Sequence, residues 1–114
     1  MKIRHSSDPH IINYILQNLH AYNMEKMSLP CEPVDFICDP RLHAIAAYDD
    51  QYQLIGGLVY QLKNQGQIFY CEYFFLNNKT RQNGAGTMVI TEAIQWAREL
   101  RCKKIALYTH TFQA

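Results

Sequence analysis

The run Ile68–Leu76 constrains the fold of this chain more than any other segment. Almost every one of its residues is apolar or aromatic, and aromatic and β-branched side chains favour a strand. A strand without polar alternation has to be covered on both faces, as happens in the middle of a sheet. We therefore expect helices above and below this strand.

Two helical patterns lie on either side of this central strand. Asp8 followed by Pro9 is typical of a helix start, because the aspartate caps the first turn and proline needs no donor there. Apolar residues then recur at helical spacing until residues 28–30, where the pattern ends. A second apolar stripe follows the loop 77–83 and consists of Val89, Ile90, Ala93, Ile94, Ala97 and Leu100.

The remaining strand patterns predict an antiparallel meander that is extended by a crossover. Strands are expected at residues 42–48 and 54–62, and a final strand at 105–109, after the second helix. Gly56 and Gly57, inside the middle strand, predict a bulge or a close backbone approach. A strand, loop, helix and strand in that order predict a right-handed crossover. The predicted fold class is therefore α/β (α+β), with a mixed, mostly antiparallel central sheet and helices on both faces.

Composition excludes several classes of protein. The chain has 114 residues, of which 48% are hydrophobic and 18% charged, values typical of one folded domain. No apolar run approaches the roughly 20 residues of a membrane span, and residues 6–8 are polar where a signal peptide would be apolar. We therefore expect a cytoplasmic protein with no membrane partner. The cysteines and histidines show no metal-ligand spacing, so no metal is expected.

The net charge of +1 conceals a basic segment. Residues 79–104 contain six Lys or Arg and two Glu, whereas the rest of the chain contains five Lys or Arg and eight acidic residues. A basic segment within a near-neutral chain favours a local site for a phosphate-bearing small molecule over a nucleic-acid surface. No nucleic-acid partner is therefore expected.

The segment between the central strand and the second helix is the most specific signal for chemistry. Its sequence is Arg81-Gln82-Asn83-Gly84-Ala85-Gly86-Thr87. Alternate glycines let the backbone approach a ligand, and the first N–H groups of the helix point outward with partial positive charge. Arg81 and Thr87 can add further donors at the rim. The segment therefore predicts an anion site.

Three kinds of phosphate loop compete for this segment, and two of them lack required residues. A Walker A loop needs a lysine at the helix start, and none is present. A dinucleotide fingerprint needs a third glycine where Val89 stands, and an acidic residue about 20 positions later. The pattern Arg-x-x-Gly-x-Gly after a central strand resembles the pyrophosphate loop of the GCN5-related N-acetyltransferases (GNAT). The resemblance covers residues 56–114.

This resemblance implies a site for acetyl-coenzyme A as co-substrate. Arg81 would lie beside the pyrophosphate, which would be held by the backbone amides of Gln82, Asn83, Gly84, Ala85, Gly86 and Thr87. In the family the preceding strand bulges, and its backbone, here at Phe74 and Leu76, pairs with the pantetheine arm. A backbone N–H near Phe74 would then polarise the thioester carbonyl.

The implied activity is transfer of an acetyl group from acetyl-coenzyme A to a primary amine of unknown identity by direct attack. Glu72 is the carboxylate of the apolar strand, and an apolar environment raises a carboxyl pKa toward the range of a general base. Two simpler roles for Glu72 stay open. It can lie on a wet part of the strand face, or it can bind a cationic substrate.

The end of the chain gives a further expectation. Residues 106–114 resemble a family segment that is followed by another helix and a strand hairpin, before which this chain ends. We therefore expect a single GNAT-like domain, residues 1–114, without that helix and hairpin. Its open final strand predicts a homodimer. The alternative function is that of a coenzyme A-binding or structural remnant with little or no catalytic activity.

Overall fold

The structure is a computed structural model that describes residues 1–30, 32, 34–77 and 84–107. These residues form five strands and two helices. In chain order, the elements are β1 (Lys2–Ser6), α1 (Pro9–Lys26), β2 (His43–Tyr48), β3 (Leu54–Lys63), β4 (Ile68–Leu76), α2 (Ala85–Glu99) and β5 (Lys104–Leu107).

The strands form one mixed sheet in the order β1-β2-β3-β4-β5. The strands β1 to β4 pair with one another in antiparallel fashion, and β5 runs parallel to β4 after the crossover through α2. The observed bounds of β4 are those predicted from its apolar run, and β4 lies between β3 and β5. The predicted fold class is therefore confirmed.

The strand β1 was not predicted. It pairs with β2 from Lys2 opposite Tyr48 to Ser6 opposite Ala44. Ile3 is the one apolar residue in its sequence, and β1 is an edge strand, so its side chains carry little of the alternation that identifies a half-buried strand. Its pairing comes from backbone hydrogen bonds along β2, which the sequence pattern does not show.

The two helices cover opposite faces of the sheet, as expected of a central apolar strand. On one face, α1 packs against a cluster that includes Ile12, Ile15, Leu19, Val59 and Phe75. On the other face, α2 packs against a cluster that includes Leu58, Phe69, Cys71, Val89, Ala93 and Ala97. The first helix begins as predicted, because the Asp8 carboxylate accepts a 2.9 Å hydrogen bond from the backbone N–H of His10.

The glycine pair in β3 lies at a close backbone approach. Gly56 has φ +139° and Gly57 has φ +153°, and a Cβ on either residue would overlap a carbonyl oxygen of a neighbouring strand. For Gly56 that oxygen belongs to Phe75, near the end of β4. The predicted close approach is confirmed, and a register shift between β2 and β3 lies next to it.

A bulge interrupts β4 beside its centre. Val59 pairs with Tyr73 and the next residue, Tyr60, pairs with Cys71, so Glu72 is the extra residue on β4. An extra residue bends its strand and redirects the side chains that follow. The bend therefore occurs just before Phe74 and Leu76, where β4 approaches the start of α2.

The free thiols and the length of the helices complete the description. In the described residues, Cys38, Cys71 and Cys102 are free thiols, which are exposed, buried and half-buried, respectively. Neither described helix is long and apolar enough to cross a membrane.

Candidate functional site

The first turn of α2 begins at Gly84, which adopts the left-handed conformation with φ 77°. Among the described residues, no side chain caps this helix, and no acidic residue lies in its first turn. Within the described residues, the i to i−4 hydrogen bonds of α2 begin with the 3.1 Å bond from Met88 N–H to the Gly84 carbonyl. The first N–H groups of a helix have no acceptor within the helix itself. These N–H groups and the helix dipole make this turn suitable for an anion.

This turn lies directly against the end of β4. A Cβ added to Gly86 would lie 3.7 Å from both Leu76 Cδ1 and Phe74 Cζ, and Ala85 is fully buried between these elements. The structure therefore brings together five of the predicted cofactor-binding positions: Phe74, Leu76, Gly84, Ala85 and Gly86. Thr87 is exposed on the same turn. Arg81, Gln82 and Asn83, which complete the predicted loop, lie outside the described residues.

Glu72 is the bulged residue of β4, and 21% of its side chain is exposed. Its carboxylate accepts a short hydrogen bond from the Gln61 side-chain amide and lies 3.8 Å from the Lys63 ammonium. Its surroundings are therefore more polar than the β4 sequence indicated. Gln61 and Lys63 come from β3, and the bulged register that brings them there has no sequence signal that we recognised. Arg41, just before β2, also interacts electrostatically with Glu72.

The groups that flank Glu72 remain protonated at neutral pH. Burial raises the pKa of the Cys71 thiol to about 12, and the nearby Glu72 carboxylate adds to this effect. Burial, and then the same carboxylate, also raises the pKa of the Tyr73 hydroxyl. Neither group can therefore accept a proton at neutral pH in this part of β4.

A hollow of about 220 Å³ lies between the C-terminal half of α1 and the end of β4. Tyr22 and Phe75 form one wall, with their rings edge to face at 6.5 Å, and the Glu25 carboxylate and Asn18 amide form another. The hollow is close to the end of β4 but on the opposite face from α2.

Together, a mixed sheet with a bulged central strand and an open helix N-terminus against that strand define an acyltransferase-like architecture. The family model described as "Acetyltransferase (GNAT) family" matches residues 12–114. The chain therefore belongs to the GNAT acetyltransferase family, which uses acetyl-coenzyme A. A search of curated protein sequences found no significant match.

Solved structures share this fold at low sequence identity. Tetrahymena GCN5 is 14% identical, with a TM-score of 0.76 over 98% of this chain and 72% of that chain. A ribosomal-protein-alanine N-acetyltransferase from Brucella melitensis is 16% identical, with a TM-score of 0.70 over 97% and 82%. The aminoglycoside N-acetyltransferase AAC(6')-Iy, in complex with coenzyme A, is 17% identical, with a TM-score of 0.63 over 96% and 80%.

Proposed function

We propose that this protein is an N-acetyltransferase that moves an acetyl group from acetyl-coenzyme A directly to a primary amine. The observation that carries the proposal is that the first turn of α2, which no described side chain caps, lies against Phe74 and Leu76 at the end of β4. If an anion binds at the start of α2, a chain attached to it would lie beside the extended backbone of β4. That arrangement suits a pyrophosphate joined to a pantetheine arm.

The loop and first turn of α2 would hold the pyrophosphate. The amides of residues 82–87 would donate to its oxygens, and Arg81 would add a charge-assisted bond. The open space beside Gly84 supports this role, because no described atom lies within 4 Å of a Cβ added there. Neither a metal nor a lysine is needed for this mode of binding.

The chemical step would join the amine nitrogen to the thioester carbon and break the carbon–sulfur bond. The amine loses a proton, and the departing thiolate takes one. A backbone N–H near Phe74 would stabilise the negative charge on the carbonyl oxygen during attack. Glu72 would accept the amine proton, directly or through a water, because its carboxylate lies on the bulge before Phe74.

The acceptor would be a cationic amine held in the hollow beside α1. A carboxylate at Glu25 attracts an ammonium group, and aromatic walls such as Tyr22 and Phe75 suit the carbon chain next to it. The alternative role of Glu72, binding the cationic acceptor instead of deprotonating it, uses the same charge complementarity. Kinetics separates the two roles.

A homodimer through β5 is also proposed. β5 is the last strand in the described sheet, with 39% of Ile105 and 57% of Leu107 exposed. Exposed apolar residues on an edge strand favour pairing with another chain. Light scattering at tens of micromolar protein should give the dimer mass, whereas a monomer mass would reject this pairing. The dimer, like the cytoplasmic location, stays a prediction.

A thiol-release assay tests the proposed activity. Acetyl-coenzyme A is mixed with the protein and with a diamine, an aminoglycoside or an alanine-terminated peptide, and products are identified by mass spectrometry. We expect amine-dependent thiol release at about 1 per second or faster for at least one amine. Cofactor binding without turnover of any amine would favour the catalytically inactive alternative. Absence of both would reject the cofactor assignment.

A further inference from the structure

A second cavity, of about 370 Å³, lies at the opposite end of α2 from the proposed cofactor site. It lies between the C-terminal end of α2, at Trp96 and at Leu100 just after the helix, and the ends of β1, β2 and β3. Trp96 follows Gly84 by twelve residues, which corresponds to about 18 Å along a helix. The volume of this cavity is within the range of small-molecule sites, and the cavity is separate from the proposed cofactor site.

Aromatic and imidazole rings form the walls of this cavity. The rings of His5 and Trp96 lie 4.8 Å apart, and those of His43 and Tyr60 lie 5.5 Å apart. Tyr60 in turn stacks on the buried Phe69 at 4.2 Å. The Trp96 indole donates a 2.9 Å hydrogen bond to the Tyr60 hydroxyl, so the two main walls hold each other in place. Preformed ring walls favour a flat ligand.

Polar groups lie at the rim between these rings. His43 Nδ1 lies 2.8 Å from the Ser7 hydroxyl, and His5 Nε2 lies 2.8 Å from the Glu92 carboxylate. Within the described residues, each imidazole is left with one ring nitrogen that has no protein partner. Burial raises the pKa of Tyr60, so its hydroxyl keeps its proton at neutral pH and can donate to a ligand. A few such groups can orient a ligand between apolar walls.

We propose that this cavity binds a planar aromatic small molecule of one or two fused rings that carries a hydrogen-bonding group at its edge. The half-buried ring of Trp96 supplies the stacking surface, and the buried Tyr60 holds that ring in place. His43 supplies the directional contact through its Nε2, which has no partner among the described residues. This inference goes beyond the acetyl-transfer function and does not depend on it.

The indole N–H resonance of Trp96 serves as the NMR reporter of ligand binding. The chain has one tryptophan, so a ¹⁵N-labelled sample gives a single indole N–H resonance. Titration with quinoline should shift this resonance saturably, with a dissociation constant of about 1 mM or tighter. Cyclohexylmethanol, a non-aromatic control, should produce no saturable shift. An equal response to both compounds, or none to quinoline, overturns the proposal.

Substitutions at His43 separate the ring from its nitrogen. His43→Phe keeps a ring and should weaken quinoline binding about tenfold, whereas His43→Ala should abolish it. His20→Phe, on α1, is the matched control and should leave binding unchanged. Dispersed spectra establish that each variant is folded, and Ser7→Ala provides a milder change at the same imidazole. Binding that is indifferent to all changes at His43 and Ser7 overturns the proposal.

Discussion

The indole N–H of Trp96 on α2 donates a 2.9 Å hydrogen bond to the hydroxyl of Tyr60 on β3. Tyr60 is 5% exposed and lies in the cluster that α2 covers, so this bond joins the helix to the sheet within the core. A buried donor that loses its acceptor costs more than an average hydrogen bond contributes.

Tyr60→Phe should therefore lower the free energy of unfolding by about 1 to 3 kcal/mol, because the Trp96 indole N–H loses its acceptor while ring packing is kept. Urea unfolding measures the change. Tyr70→Phe is the matched control and should have an effect within about 0.5 kcal/mol, because no described group bonds its hydroxyl. Equal effects of the two substitutions would contradict a role for the bond.

Gly56→Ala should destabilise the protein by more than about 3 kcal/mol or prevent folding, because its Cβ would overlap the Phe75 carbonyl oxygen. Gly66→Ala provides the comparison. Gly66 has φ +83° but no atom within 4 Å of an added Cβ, so only backbone strain of about 1 to 2 kcal/mol is expected. Chemical unfolding of both variants measures the difference. A Gly56→Ala protein as stable as Gly66→Ala would refute the close approach.

Local sequence signals predicted much of this fold. The Asp8-Pro9 start of α1 and the bounds of β4 depend on residues that are adjacent in the chain, and both match the structure. The edge strand β1 was missed because its stability comes from pairing with β2, about 40 residues later along the chain.

The part of the candidate site that is formed by residues adjacent in the sequence could be predicted. The glycines of the loop and their helix start are adjacent in sequence, so an anion site could be inferred from them. The polar neighbours of Glu72 could not, because Gln61 and Lys63 reach it through a bulged register between β3 and β4. The cavity at Trp96 was also not predicted, because residues from four elements that are distant in the sequence form it.

Cys71 should resist thiol reagents at pH 8, because burial raises its pKa to about 12 and leaves almost no thiolate. The exposed Cys38 should react at least about 100-fold faster. Peptide mapping by mass spectrometry after timed labelling measures both rates. Labelling in urea is the control and should bring the rates together. Comparable rates in the native protein would mean that Cys71 is accessible.

Glu72→Gln should lower kcat by about 100-fold or more while leaving acetyl-coenzyme A affinity unchanged, because the variant cannot accept the amine proton. Steady-state kinetics with the best amine, together with a cofactor titration, measures both quantities. A raised KM with unchanged kcat would instead indicate that Glu72 binds the cationic acceptor. Unchanged values of both would assign Glu72 a structural role only.

Calorimetric titration of acetyl-coenzyme A into the wild type, Gly84→Asp and Gly84→Asn tests the central claim most directly. Asn and Asp have similar size, and both tolerate the left-handed conformation of Gly84, so the two variants differ mainly in charge. We expect binding by the wild type and by Gly84→Asn, and at least about tenfold weaker binding by Gly84→Asp, whose carboxylate would repel the pyrophosphate. Equal affinities of the two variants, or no binding by the wild type, would contradict a pyrophosphate site at the start of α2.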